Sequence, residues 1–269
     1  MADPWEVLQS EATAIVAAAS DRGVTLRVVG SAGIRLHCAA PGPLMDALDR
    51  PAKDIDFVVP QRQRKGMRRL LEERGYVIDR DLLIAMEGRR YSFEHREHGT
   101  EIDVFVERLS FCHTIELAGR LERHPVTIPI EELLLQKVQI VEMTTTDLID
   151  ASVLLATHDV ASPGDDQAAA GQPPAAGEAV DAAYIARLLA RDWGFHHTAT
   201  RNLARVRQSV AGPPAIGVGA GGAARAERGV GRLLGAIDAE DKSLAWRMRD
   251  KIGERKQWWQ DVDDREATY

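Results

Sequence analysis

The sequence predicts a mixed α/β domain followed by an all-helical domain, on three observations. Up to residue 160, strand patterns mix with amphipathic helical stretches. From residue 179 on, Ala, Leu and Arg are frequent and β-branched residues few, which favours a small helical bundle. Between them, Ser162-Pro163-Gly164-Asp165-Asp166 to Pro173-Pro174-Ala175-Ala176-Gly177 has almost no large apolar residue and several turn formers, so it reads as a flexible linker. The expected division is therefore 1–160, a linker at 161–178, and a helical domain at 179–269.

The elements follow in order. From Trp5 to Ser20, Leu8, Ala12, Ile15, Val16 and Ala19 recur at helical spacing, and Asp21-Arg22-Gly23 ends the helix. Val24–Val29 and Asp54–Val59 read as strands, with a helix starting near Ile34. Arg62–Arg74 reads as a basic helix closed by Gly75, and Tyr76–Asp79 as a short extended piece. Arg89–His95 and Glu101–Glu107 read as a hairpin turning at His98-Gly99. Pro129–Ile140 begins a helix, with proline tolerated in its first turn. Later helices are expected over 179–191, 198–210, 223–237 and 239–259, with a second loop from Gly212-Pro213-Pro214 to Gly221-Gly222.

A chain of 269 residues can bury a substantial core, and 45% hydrophobic with 28% charged residues is ordinary for a soluble protein. Wholesale disorder and a disulfide-stapled scaffold are excluded. Cys38 and Cys112 are far apart, each beside one histidine (His37, His113); that is too little for a zinc site, and they read as buried thiols. Asp3, Glu6 and Glu11 precede the first basic residue, unlike a secretory or mitochondrial signal, and no apolar run approaches the roughly 20 residues that span a bilayer. These readings predict a cytoplasmic, reduced protein with no membrane partner. The net charge of −7 is uneven: residues 1–160 hold 19 basic against 26 acidic side chains, and residues 181–256 hold 14 against 8.

The strongest local signal is Lys53-Asp54-Ile55-Asp56-Phe57-Val58-Val59. On a strand, Asp54 and Asp56 share one face while Ile55, Phe57 and Val59 take the other and enter a core. Two adjacent carboxylates repel unless something positive lies between them, and a hard divalent cation such as Mg²⁺ answers that need. Glu101-Ile102-Asp103-Val104-Phe105-Val106 repeats the pattern, with Asp103 flanked by apolar residues and Glu101 near the hairpin turn. If the two strands are neighbours, their carboxylates converge at one sheet edge, as a phosphoryl-transfer site requires. Upstream, Val29-Gly30-Ser31 runs from a strand into small residues, where backbone N–H groups and a hydroxyl can approach a phosphate.

In this order the stretches Val29-Gly30-Ser31, Asp54-Ile55-Asp56 and Ile102-Asp103-Val104 resemble the nucleotidyltransferase superfamily of the DNA polymerase β type. Ile130-Glu131-Glu132-Leu133-Leu134-Leu135-Gln136-Lys137, followed by Asp147-Leu148-Ile149-Asp150, is similar to the branch that includes abortive-infection type II toxins. The resemblance covers roughly residues 24–155 and implies a mixed sheet flanked by helices. It departs in an insertion containing Pro41-Gly42-Pro43, and in Thr144-Thr145-Thr146 where basic residues often precede the Asp-x-x-Asp.

The resemblance further implies that Asp54 and Asp56 hold Mg²⁺ on a nucleoside triphosphate, with Asp103 assisting at the acceptor hydroxyl. Gly30 and Ser31 would contact phosphates, and Lys137 would neutralise charge there. The implied reaction moves a nucleoside monophosphate to an acceptor, an RNA end or a small molecule, and releases pyrophosphate. Alternatives are a catalytically silent binding module, an enzyme that nucleotidylates small molecules or proteins, and a metal-dependent phosphohydrolase. An antitoxin-type protein partner goes with the branch.

Overall fold

The computed structural model describes residues 4–38, 54–161, 179–212 and 216–262. The predicted linker beyond residue 161, the Pro41-Gly42-Pro43 insertion and Pro213-Pro214 lie outside the described residues. The described chain forms two compact units, one of residues up to 129 without 110–113, the other of 110–113 and residues from 130 on. The division thus falls 30 residues before the composition break at 160.

In the first unit, α1 (Pro4–Ser20) buries the residues its periodicity marks: Trp5, Leu8, Ala12, Ile15, Val16 and Ala19. A five-stranded sheet follows, built from β1 (Arg27–Val29), β2 (Ile55–Val59), β3 (Tyr76–Ile78), β4 (Arg90–His95) and β5 (Glu101–Val106) in the order β1-β2-β5-β4-β3. The β2–β5 pair is parallel, and the other three pairs are antiparallel. Helix α2 (Gly30–His37) leaves β1 at once, α3 (Arg64–Glu73) joins β2 to β3, and α4 (Arg80–Ala85) joins β3 to β4. The β4–β5 hairpin turns where expected, with Gly99 in the left-handed region at φ 66°. A two-stranded ribbon, β6 (Arg108–Ser110) and β7 (Thr114–Glu116), comes next in the chain.

Strand alternation divides the sheet's residues between two environments. Val28, Ile55, Phe57, Val59, Tyr91, Phe93, Ile102, Val104 and Val106 form one core with α1 and with Met67, Leu70 and Leu71 of α3. Each large apolar side chain fully buried there contributes about 1.5–3 kcal/mol. The opposite face takes Val29, Asp56, Val58, Asp103, Phe105, Arg90 and Ser92. The polar positions of β2 and β5 thereby share one face.

The second unit is helical: α5 (Ile130–Val138), α6 (Thr145–Thr157), α7 (Ala182–Leu189), α8 (Trp193–Ala211), α9 (Gly219–Ala239) and α10 (Leu244–Asp250). A short parallel pair, β8 (Val160–Ala161) with β9 (Val180–Asp181), links α6 to α7. Helices before and after the composition break share one interior, which explains the unit boundary. The fully buried Asn202 of α8 donates to the carbonyls of Val138 (3.0 Å) and Ile140 (2.7 Å), satisfying groups that the end of α5 leaves open.

Two helix expectations need correction. Gly221 and Gly222 belong to α9 and not to a loop. A Cβ on Gly222 would lie 3.1 Å from the Ala156 Cβ, and one on Gly229 would lie 3.0 Å from Val160 Cγ2, so these glycines serve close packing. The helix expected over 239–259 ends at Asp250, and Gly253 follows in the left-handed region at φ 58°. Trp258 is outside any helix; its indole Nε1 donates to Thr198 Oγ1 at 3.1 Å and meets Trp193 edge-on. Both cysteines are buried free thiols, as read from the sequence, and burial pushes the Cys112 thiol up.

The same Thr198 hydroxyl lies 2.9 Å from His113 Nε2, and the His113 ring stacks on Phe195. Burial pushes the His113 pKa down to about 4, so the folded protein holds it neutral. The unfolded chain protonates this ring below its ordinary value of about 6.5. Its stability contribution is therefore full above pH 6.5 and is lost as pH falls toward 4. Urea unfolding across that range is expected to lose up to about 3 kcal/mol from this ring, and His113→Gln should flatten that part of the profile.

Candidate active site

The register of the sheet builds the site. Asp56 stands directly beside Asp103 across the parallel β2–β5 pair, and Val29 stands opposite Asp56 across β1–β2. The end of β1, the start of β2 and the start of β5 thus share one edge. Asp56 is buried and Asp103 half-buried. Asp54 stands one residue before β2 at that edge, half-buried. Glu101 is exposed at the start of β5 and pairs in register with Glu94 of β4.

Gly30 explains how the helix reaches the pair. Its φ is 66°, and a Cβ there would lie 2.5 Å from Asp56 Oδ2. Only glycine brings the first turn of α2 this close to the carboxylate. Val29 occupies the N-cap position of α2 in extended backbone and its side chain makes no cap hydrogen bond, and Ser31 stands half-buried in the first turn. The positive end of a helix dipole favours an anion there, a carboxylate or a phosphate.

Arg90 is the site residue that sequence reasoning missed. Its Nη2 donates to Asp103 Oδ2 at 2.6 Å, with both side chains largely enclosed, and its guanidinium lies 5.3 Å from the Phe105 ring centroid. The signal was present in the hairpin pattern. In β4, Arg90 and Ser92 alternate with the core residues Tyr91 and Phe93, so they take the same face as Asp103.

Lys137 belongs to the second unit. It is buried in the last turn of α5, with Nζ 3.0 Å from Asp150 Oδ2 and 3.4 Å from Asp147 Oδ1. Thr144 caps α6: its hydroxyl accepts from the Asp147 N–H, while its own N–H and hydroxyl donate to Asp147 Oδ2. The threonines found in place of basic residues therefore start a helix, and the Asp-x-x-Asp holds the lysine.

Among the described residues, no group of three or more His, Cys, Asp or Glu side chains could hold an ion. Mg²⁺ on a nucleotide needs less, because it is usually held by one or two carboxylates together with phosphate oxygens. The adjacent Asp56 and Asp103 meet that smaller requirement; a closed protein cage is not present among the described residues.

No family model matches the sequence, and no curated protein matches it. The crystal structure of an antigenic nucleotidyltransferase-like protein from Paracoccidioides brasiliensis is similar to this chain with a TM-score of 0.39 at 13% identity, over 90% of this chain and 95% of that one. At that score the likeness says nothing of what this chain does. No helix among the described residues is long and apolar enough to cross a membrane.

Two expectations follow from the packing. Gly30→Ala should cost about 1–3 kcal/mol, from left-handed strain plus contact with Asp56. Gly23→Ala has a similar φ of 69° but nothing within 4 Å, so in denaturant titration it should lose the strain alone. Lys137→Met removes the cation between the buried Asp147 and Asp150 and should cost about 3–5 kcal/mol, read the same way.

Proposed function

We propose that this chain is a nucleotidyltransferase, which moves a nucleoside monophosphate from a nucleoside triphosphate to an acceptor hydroxyl. One observation carries the reading: Asp56 and Asp103 lie side by side at the sheet edge where α2 begins against Asp56. The sequence resemblance rests on these same stretches, so motif and geometry meet at one place.

In this reading the backbone N–H groups at the start of α2 and the Ser31 hydroxyl hold phosphate oxygens. Asp56 and Asp103 would hold a nucleotide-bound Mg²⁺, with Asp54 half-buried at the same edge, and the ion would supply charge neutralisation on the triphosphate. Asp103 orients the acceptor hydroxyl. The acceptor oxygen bonds the α-phosphorus, the anhydride bond to the β-phosphate breaks, and pyrophosphate leaves while the hydroxyl proton passes to water. The chain's contribution is positioning and charge placement. Lys137 has no part in this scheme, because its charge is committed to Asp147 and Asp150. An RNA end and a small-molecule hydroxyl are both acceptors of the right chemistry.

A second reading rests on a different observation. The ion pair between Arg90 and Asp103 already gives one carboxylate a counter-charge, which suits a module that binds nucleotide without turning it over.

Incubation with each α-labelled triphosphate, Mg²⁺ and total RNA or a panel of small hydroxyl compounds should give label transfer. Asp56→Asn should lower the rate by about a hundredfold or more, the scale set by losing a preorganised charge. Calorimetric binding of a triphosphate without any transfer would favour the silent module.

A further inference from the structure

The charge on Asp103 can be met in two ways, by the protein or by an ion. The structure shows the protein's way: a guanidinium 2.6 Å away, on a strand neighbour, with exposures of 7% for Arg90 and 17% for Asp103. Arg90 cannot swing aside at small cost. Its backbone pairs with Phe105 in the β4–β5 ladder, and its guanidinium lies against the Phe105 ring. A charge-assisted bond in such an enclosed place is among the strong ones, and it fixes the carboxylate's orientation.

We propose that Arg90 is a positioning residue that serves as the built-in counter-charge of Asp103, so that the Asp56–Asp103 pair has low affinity for a free divalent cation and takes one up together with the triphosphate. The inference deepens the nucleotidyltransferase reading and rests on it for the triphosphate, but the ion-pair part stands on geometry alone. Two carboxylates in register carry two negative charges, and Arg90 offsets one. A bare cation arriving at the pair would also be repelled by the guanidinium beside it. A triphosphate brings its own oxygens to the ion, and its negative charge outweighs the guanidinium's repulsion. Ordered uptake follows: the nucleotide carries the metal in, and the empty site does not collect one.

The test uses Mn²⁺ alone, followed by electron paramagnetic resonance and calorimetry on the full chain without nucleotide. The wild-type protein should bind Mn²⁺ weakly. Arg90→Gln should bind it about tenfold more tightly or better, because the neighbouring positive charge is gone. Arg90→Lys, which keeps the charge, should stay near wild type. The double variant Arg90→Gln with Asp56→Asn should fall back, which assigns the gain to this pair and not to acidic surface elsewhere. Circular dichroism melts establish that each variant is folded; Arg90→Met serves should Arg90→Gln not fold.

Unchanged or weaker Mn²⁺ binding in the folded charge-removing variant overturns the proposal. So does tight Mn²⁺ binding by the wild-type pair, diagnosed by its loss in Asp56→Asn. Adding a non-hydrolysable triphosphate should raise wild-type Mn²⁺ affinity, and no such rise overturns the ordered-uptake part. The Mn²⁺ series without nucleotide holds or fails whether or not label transfer occurs, so failure of the ion-pair inference and failure of the enzymatic reading are distinguishable.

Discussion

The register between β2 and β5 is the constraint on which the arrangement of the first unit's carboxylates depends. It sets Asp56 beside Asp103, and with a side-chain period of two it also sends Ile55, Phe57, Ile102 and Val104 into the core. A slip of one residue would move that apolar set to the face of Val29 and Val58 and place the carboxylates among the residues of α1 and α3. The core therefore holds the site in place: the two carboxylates stay adjacent despite their repulsion because the opposite face of the same strands cannot move.

That repulsion is handled within the fold by groups outside the Asp-x-Asp motif. The positive end of α2 meets Asp56, and Arg90 meets Asp103. Gly30 is needed for the first and the β4–β5 pairing for the second. The second unit treats its own buried charges in a comparable way. Lys137 lies between Asp147 and Asp150, while Asp147 also closes the capping box that starts α6. One aspartate thus serves both helix initiation and charge compensation. Buried pairs of this kind contribute little net stability when intact and cost much when broken, so they specify one arrangement more than they strengthen it.

Much of the first unit was legible in the sequence because its signals are local. Alternation in Asp54–Val59 and Glu101–Val106, helical spacing in Trp5–Ser20, and Gly99 in the hairpin each depend on a few neighbouring residues. The second unit was less legible where glycine has two meanings. Gly221 and Gly222 look like loop residues, yet a helix uses Gly222 to approach Ala156, a neighbour 66 positions away in the chain. The helix expected to reach Trp259 ends early, because Gly253 turns the chain and Trp258 finds a hydrogen-bond partner in Thr198.

By itself the sequence determined the class of fold, the two-faced character of the aspartate strands, and the small residues at the start of α2. These follow from periodicity and from what glycine alone permits, and both are properties of short segments. Tertiary structure alone decided which charges meet. It paired Arg90 with Asp103 across a hairpin, drew Lys137 to Asp147 and Asp150, and gave helices from both sides of the composition break one interior. A charge finds its partner through space, and composition along the chain does not record where the strands and helices will bring it.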